Sequence, residues 1–317
     1  MQNQFRAILI AGPTASGKSA LAIRLAKDLS GVIINADSMQ VYRDLQIITA
    51  RPDKDEEGQA PHSLYGTIDG AIACSAVQWA ELAMLEIERA WDRGFMPILV
   101  GGTGMYFKAL LDGMVSIPPI DETIRVKVRA EIADIGSEAM HAKLKALDEK
   151  AYERIEPADG QRIARAMEVA LSTGKALSQW QQEPHSGPLT KLDAAGQIAK
   201  LVLDIDRDKL YERCDQRLDI MVEGGALEEI QSLLDRDLDI SLPIMKALGV
   251  PPLSAYLENK VSLQEALEAA KTQTRQFAKR QLTWFRNQFS AWDRVNAQLS
   301  ESGYRSLLYY LNKKDLD

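Results

Sequence analysis

Residues Gly12-Pro13-Thr14-Ala15-Ser16-Gly17-Lys18-Ser19 spell G-x-x-x-x-G-K-S directly behind the apolar run Ala7-Ile8-Leu9-Ile10-Ala11. The backbone N–H groups of such a loop wrap around an anion, and the helix that follows points its positive end at the same anion. Lys18 supplies a point charge to phosphate oxygens, and Ser19 a hydroxyl to Mg²⁺. The pattern fixes a diphosphate or triphosphate without saying which molecule carries it. Asp37 and Ser38 end the next apolar run, where the ligand crevice of an open parallel sheet lies. A carboxylate there coordinates Mg²⁺, acts as a general base, or merely caps the next segment. Gly101-Gly102-Thr103-Gly104 is a second glycine turn at the same sheet edge. Its glycines allow backbone to approach a ligand closely and Thr103 offers a hydroxyl, although an ordinary tight turn explains the pattern equally well.

The remaining candidates are cations. Arg162 and Arg165 lie three apart on one helix face, with Arg125, Lys127 and Arg129 upstream. Arg275, Lys279 and Arg286 form a stripe on a later helix, with Arg280 alongside. Asp and Glu are absent from Thr272 to Ala291, which implies an unneutralised positive strip suited to a nucleic-acid backbone. A solvated helix face is the plainer alternative. Arg213 and Arg217, four apart, either reach a diphosphate or pair with Glu212, Asp215 or Asp219. None of the three histidines has metal-binding or triad spacing, and His62 is expected to be structural.

These residues need a scaffold. Strands are expected at 6–11, 32–36, around 63–68, 97–101 and 199–205. Helices are expected from Ala20 to Leu29, from Ala76 to Arg93 behind a Ser75 cap, and from Met105 to Leu111. Apolar strands alternating with amphipathic helices predict a doubly wound, P-loop NTPase-like α/β core. After the breaker Ile117-Pro118-Pro119-Ile120 only helical periodicity remains, over Glu122–Ile135, about Ser137–Leu147, and Asp159–Ser172. Residues 119–197 are therefore expected to form an all-helical insertion, with 1–118 and 198–317 as the core. Helices Asp208–Glu223, Leu227–Leu234 and a long one opened by the Ser262-Leu263-Gln264-Glu265 capping box complete the chain.

The 317 residues suffice for one large or two modest domains. A 46% hydrophobic and 26% charged composition is that of a soluble globular protein, and no apolar run approaches a membrane span. The amino terminus leads straight toward the first strand, so no signal peptide is expected. Only Cys74 and Cys214 are present, far apart, which suits a reducing cytoplasm and argues against a zinc site. The net charge of −7 weighs weakly against nucleic acid, but a global count says nothing about clustering.

Taken together, the phosphate loop, Ala36-Asp37-Ser38-Met39-Gln40-Val41-Tyr42, Val100-Gly101-Gly102-Thr103-Gly104-Met105-Tyr106, Asp159-Gly160-Gln161-Arg162-Ile163-Ala164-Arg165-Ala166 and Thr274 through Arg286 resemble the bacterial tRNA dimethylallyltransferases. The blocks run in family order and span most of the chain. The resemblance implies transfer of a dimethylallyl group from dimethylallyl diphosphate to N6 of the adenosine 3′ of the anticodon, with Mg²⁺ as cofactor. It implies that Gly12 to Ser19 grip the diphosphate, that Asp37 is the base, and that Thr103 bonds the flipped adenine. Asp37, Ser38, Met39, Gln40, Arg125 and the run Gln161, Arg162, Ile163, Ala164 and Arg165 would touch the tRNA anticodon stem-loop. Arg275, Lys279 and Arg280 would help hold it. A monomer without a membrane partner is expected. The chain departs from the family at Val250-Pro251-Pro252, so no role is carried there, and the lack of a C-terminal Cys/His zinc module favours a bacterial-type enzyme. The competing expectation is a small-molecule kinase using ATP, which leaves the basic helix unexplained.

Overall fold

The structure, a computed structural model, describes residues 4–312. The chain divides into two compact units: one takes in the chain up to Asp112 and from Gly187 onward, the other is Gly113–Ser186. The first begins with β1 (Ala7–Ala11), α1 (Lys18–Leu29), β2 (Gly31–Asn35), α2 (Lys54–Glu57), β3 (His62–Ser63), α3 (Ala76–Asp92), β4 (Met96–Gly101) and α4 (Gly104–Leu111). The second holds α5 (Glu122–Leu144), α6 (Glu149–Arg154), α7 (Gly160–Thr173) and α8 (Leu177–Trp180). The first resumes with α9 (Thr190–Ala194), β5 (Ile198–Asp204), α10 (Arg207–Glu223), α11 (Ala226–Leu234) and a 3₁₀ turn at Ile244–Lys246. It ends with α12 (Val250–Leu257), α13 (Leu263–Gln288), β6 (Asp293–Asn296) and α14 (Glu301–Leu311).

The six strands form one sheet in the order β3-β2-β4-β1-β5-β6, every neighbouring pair parallel. Along β1, Leu9 packs into one buried cluster and Ile8 and Ile10 into the other. Both faces of the strand are covered, which is why it reads as an unbroken apolar run rather than an alternating one. The first cluster centres on Trp79 of α3, whose ring stacks on Tyr106 of α4 with centroids 4.2 Å apart. Such a pair adds about 0.5–1.5 kcal/mol beyond its area burial. Ser75 caps α3 reciprocally with Gln78, as the sequence suggests.

Three local features differ from expectation. The third strand is only His62–Ser63, and farther along a single parallel bridge joins Tyr42 to Ile68. An edge strand, β6, pairs in parallel with β5 but was not legible, because Val295 is its one buried residue. The helical unit begins and ends earlier than 119–197. Leu189 is fully buried and its N–H donates to Leu110 O at 2.9 Å, so the segment after Gly187 packs with α4 in the sheet-bearing unit.

The helical unit is built around Val128, Met140, Leu144, Ile163, Ala166 and Val169. Within α5, Gly136 has φ +82° and ψ 163°, so the element is two helices joined at that residue. Left-handed φ favours glycine there. Buried Asp148 ties this unit together, its two oxygens accepting from Ala151 N–H at 3.0 Å and Ser178 N–H at 2.8 Å. Among the described residues no helix is long and apolar enough to cross a membrane.

The closest backbone approach in the sheet is at Gly101, where an added Cβ would lie 1.9 Å from Ala36 O. Gly101→Ala must push β2 and β4 apart at their carboxyl ends, so a loss of about 1–3 kcal/mol is expected, read as a lower urea midpoint. An unchanged midpoint would contradict this packing.

Candidate active site

The sheet order places the ends of β2, β4 and β1 side by side, and a loop from each meets the others. The loop after β1 is shaped by two left-handed residues, Ala15 (φ +60°) and Gly17 (φ +93°), which turn it around a hollow. Gly12 sits in a tight space: its Cβ would lie 3.2 Å from Ser16 Oγ and 3.2 Å from Leu203 Cβ. Ser16 Oγ is fully buried with no hydrogen-bond partner among the described residues. The hollow is a cavity of about 330 Å³, lined by Thr14 through Ala20, Asp37, Gln40, Thr49, Tyr65, Arg213 and Arg217. The phosphate-loop residues and both α10 arginines are thus gathered as the sequence suggests.

Its electrostatics are those of an anion site. Burial pushes the Lys18 ammonium down to about 8, with Asp37 acting against that and Arg217 adding to it. Lys18 Nζ donates to Pro13 O at 2.7 Å. Arg217 donates to Thr14 Oγ1, and burial lowers its pKa, opposed by Cys214 and Asp37. Burial, followed by Asp37, raises the Tyr65 pKa, so the phenol stays a neutral donor.

Asp37 is aimed by the strand before it. Asn35 is fully buried; its Oδ1 accepts from Asp37 N–H at 2.8 Å and its Nδ2 donates to Asp37 O at 3.0 Å and Leu64 O at 3.1 Å. Trp79 Nε1–H in turn donates to Asn35 O at 2.9 Å. Asp37 Oδ1 accepts from Met39 N–H at 2.9 Å. Oδ1 thus caps the turn that begins at Ser38, while Oδ2 remains without a partner among the described residues. Thr103 faces it from the loop after β4, its Oγ1 accepting from Ser38 N–H at 2.9 Å and lying 3.2 Å from Ser38 Oγ.

A second cavity of about 260 Å³ adjoins the first and shares Thr14, Asp37, Thr49 and Arg217 with it. It is mainly apolar, walled by Met39, Ile48, Leu218, Met221, Leu248 and Phe277, with Ser38, Thr103 and Arg280 also on its wall. The glycines of the turn after β4 are closely packed, and Gly102 and Gly104 also line a cavity of about 240 Å³. A Cβ on Gly102 would lie 2.3 Å from Gln281 Nε2, and one on Gly104 1.9 Å from the Trp284 ring.

The fold leaves other candidates elsewhere. Gln40 is held by Thr49 O and Ala50 O, so its amide braces the loop that lines both cavities. Arg275 is no free cation: it donates to both oxygens of Asp215 on α10, at 2.8 and 2.6 Å. The strip on α13 thus reduces to Lys279, Arg280 and Arg286, which have no acidic partner among the described residues. A sequence run without acids missed a partner supplied by another helix. In the helical unit, Gln161, Arg162 and Arg165 are exposed, and Arg125 pairs with Glu122. Ile163 is fully buried in that unit's core, so its side chain touches no partner. His62 Nδ1 donates to Ala60 O at 2.8 Å, a local structural contact.

A family profile described as IPP transferase matches residues 40–288, most of the chain and both strands and helices of the site downstream of Asp37. The chain belongs to the IPP transferase family. Its relatives in that family include the tRNA dimethylallyltransferase of Parvibaculum lavamentivorans, 48% identical over 307 residues, covering 97% of this chain and 96% of the relative. That of Rhodospirillum rubrum is 49% identical over 300 residues, covering 93% and 90%. Among solved structures, the full-length tRNA isopentenylpyrophosphate transferase of Bacillus halodurans superimposes with a TM-score of 0.68 at 32% identity, covering 96% of this chain and 95% of that one. A eukaryotic dimethylallyltransferase acting on tRNA gives a TM-score of 0.74 at 28% identity, covering 92% and 73%. Within this IPP transferase, sequence reasoning overlooked Asn35 and Gln281. Each is a polar residue at a position whose periodicity calls for an apolar one, and that was the available signal.

Lys18 has opposite effects on folding and on anion binding. The folded protein releases its proton at about 8 and the ordinary side chain near 10.5, so the charge opposes folding below pH 8, and the penalty fades as pH rises through that window. Anion affinity runs the other way. Diphosphate affinity by calorimetry is expected to fall between about pH 7 and pH 9.5, and Lys18→Arg, permanently charged, should show a flatter profile. Parallel profiles would refute the assignment.

Proposed function

We propose that this chain transfers the dimethylallyl group of dimethylallyl diphosphate to N6 of the adenosine 3′ of the anticodon in tRNA, releasing diphosphate. The observation that carries this reading is the joining of a polar, cationic cavity to an apolar one through Thr14, Asp37, Thr49 and Arg217. One holds a leaving group, the other a five-carbon chain and a base, and the carboxylate stands where they meet. A phosphoryl-transfer enzyme has no need of the second cavity's apolar wall.

An exocyclic aromatic amine is a poor nucleophile, so rate must come from positioning, proton removal and charge stabilisation. The N6–carbon bond forms as the allylic carbon–oxygen bond breaks, and the electron pair leaves with the diphosphate. Asp37 Oδ2 takes the N6 proton. Lys18, Arg213, Arg217 and the loop N–H groups meet the growing negative charge, while Thr103 and Ser38 orient the adenine edge. The apolar wall around Ile48, Leu218, Met221 and Phe277 keeps water from the allylic carbon, which would otherwise hydrolyse.

Magnesium fits this donor set. Mg²⁺ is commonly held by one or two protein oxygens plus substrate phosphates and water rather than by an all-protein cage. Ser19 Oγ and Asp37 both face the cradle, and no cluster of three His, Cys, Asp or Glu exists among the described residues. Bound there with diphosphate, the ion would supply further positive charge to the leaving group.

The adenosine must leave its stack, at a cost of a few kcal/mol that is least in a single-stranded loop. Ser38, Met39, Gln40, Lys279 and Arg280 would meet the RNA beside the cavity. Arg125 and the exposed face of α7 at Gln161, Arg162 and Arg165 would add contacts from the helical unit. The enzyme would act in the cytoplasm as a monomer.

Incubation with unmodified tRNA and labelled dimethylallyl diphosphate, with and without Mg²⁺, tests the reading; label must appear in the tRNA. Phosphoryl transfer from ATP to a small acceptor, without tRNA, would overturn it. Asp37→Asn is expected to cut turnover by about 10²–10⁴ while tRNA affinity changes little. Equal losses would remove the base from the mechanism. Lys279→Ala should weaken tRNA binding and lower the slope of log K against log salt by about 0.7–0.9, one phosphate contact. An unchanged slope would make Lys279 a solvated residue only.

A further inference from the structure

Gln281 is the one buried amide on the inner face of α13, three residues after Ala278 and four before Phe285, both buried. Both ends of its amide are used. Oε1 accepts from Thr14 N–H at 2.8 Å, and Nε2 donates to Gly102 O at 2.9 Å. The reverse orientation would set donor against donor and acceptor against acceptor, so this network fixes the amide. A buried amide without these partners is costly, and an apolar residue would satisfy the helix packing better. The residue is therefore explained by what it bridges: the loop after β1 and the turn after β4, 267 and 179 positions away in sequence.

Thr14 is held at a second point. Its hydroxyl accepts from Arg217 on α10, and α10 is locked to α13 by Arg275–Asp215 and Lys271–Asp219 pairs. The two helices therefore grip one residue of the phosphate loop together. On the turn of α13 that carries Gln281, Lys279 and Arg280 face solvent, and Arg280 lines the apolar cavity. Gln281 is the direct side-chain link from this turn of α13 to Thr14, and Arg217 the indirect one through α10.

We infer that Gln281 is a positioning residue that couples polynucleotide binding on α13 to the grip of the loop at residues 12–19 on diphosphate. It touches no reacting atom; it sets where Thr14 and Gly102 stand. The inference rests on the functional reading above for the identity of the two ligands. Coupling of this kind is reciprocal: RNA tightens diphosphate binding by the factor by which diphosphate tightens RNA binding.

The probes are inorganic diphosphate with Mg²⁺ and an anticodon stem-loop RNA, each titrated by calorimetry alone and in the presence of the other. For the unaltered protein each ligand is expected to tighten the other by about 5- to 100-fold. In Gln281→Met, of similar size but without the two hydrogen bonds, that factor should fall to near one. The affinity for RNA alone should stay within about twofold and the melting temperature within a few degrees. Gly102→Ala offers an independent perturbation, since its Cβ would meet Gln281 Nε2 at 2.3 Å. Its effect on diphosphate affinity should largely disappear in a Gln281→Ala background, where the obstacle is gone. Coupling retained in Gln281→Met, or a Gly102→Ala effect that is the same in both backgrounds, would overturn the inference. If the unaltered protein binds diphosphate and RNA with no mutual effect, the inference falls and the functional reading stands. If it binds no diphosphate, both fall.

Discussion

Three cations, Lys18, Arg213 and Arg217, and two carboxylates, Asp37 and Glu56, line one hollow, and the site depends on the balance between them. Lys18 and Arg217 both lose hydration, and Asp37 and Cys214 act against that loss. A dianionic or more highly charged leaving group restores the balance, so the cradle is most comfortable when occupied. The same strain explains the contacts around it. Lys18 rests on Pro13 O, and Arg217 rests on Thr14 Oγ1. Both acceptors are neutral, and a phosphate oxygen in their place would add attraction between opposite charges.

Holding these charges in place is the work of the sheet. Ala11 is in register with Gly101 and Asn35 with Val100, so the last residues of β1, β4 and β2 lie level. Three loops then leave the sheet at one edge, at the crevice where open parallel sheets bind ligands. The tolerance is narrow. Gly101 has no room for a methyl group against Ala36 O, and Asn35 spends its whole amide fixing the backbone on either side of Asp37. Glu229 of α11 does the same for the opposite wall, accepting from the N–H groups of Gln46, Ile47 and Ile48. A loop that would otherwise be mobile becomes part of both cavities.

What the sequence reveals depends on how local the cause is. The phosphate loop, the Ser75 and Ser262 caps, the glycine stop at Gly174 and the break at Gly136 are set by neighbours a few residues apart, and each was legible. β6 was not, because a four-residue edge strand with one buried side chain carries almost no pattern. The end of the helical unit was misplaced because Leu189 answers to Leu110, far upstream. The glycines after β4 fit a ligand approach and a tight turn equally well on sequence, and the neighbours that crowd them, Gln281 and Trp284, are brought near only by the fold. Asn35 and Gln281 were visible only as polar residues out of place. Such breaks in periodicity are where local and global preferences disagree, and they concentrate at functional sites.

The charge on α13 shows how the tertiary fold revises a sequence count. A run without acidic residues looks like a continuous basic stripe, yet Asp215 and Asp219 reach across from α10 to Arg275 and Lys271. Neutralising the first part of the stripe has a consequence for geometry. It leaves Lys279, Arg280 and Arg286 as the free cations, and these lie at and beyond the turn that faces the two cavities. The unpaired positive charge of α13 is thus concentrated near the cavity mouth rather than along the whole helix. The paired arginine and lysine instead hold α10, and with it Arg217, against the phosphate loop. The same helix therefore divides its cations by position: those nearer its start are paired with α10, and those nearer its end are left exposed beside the cavities.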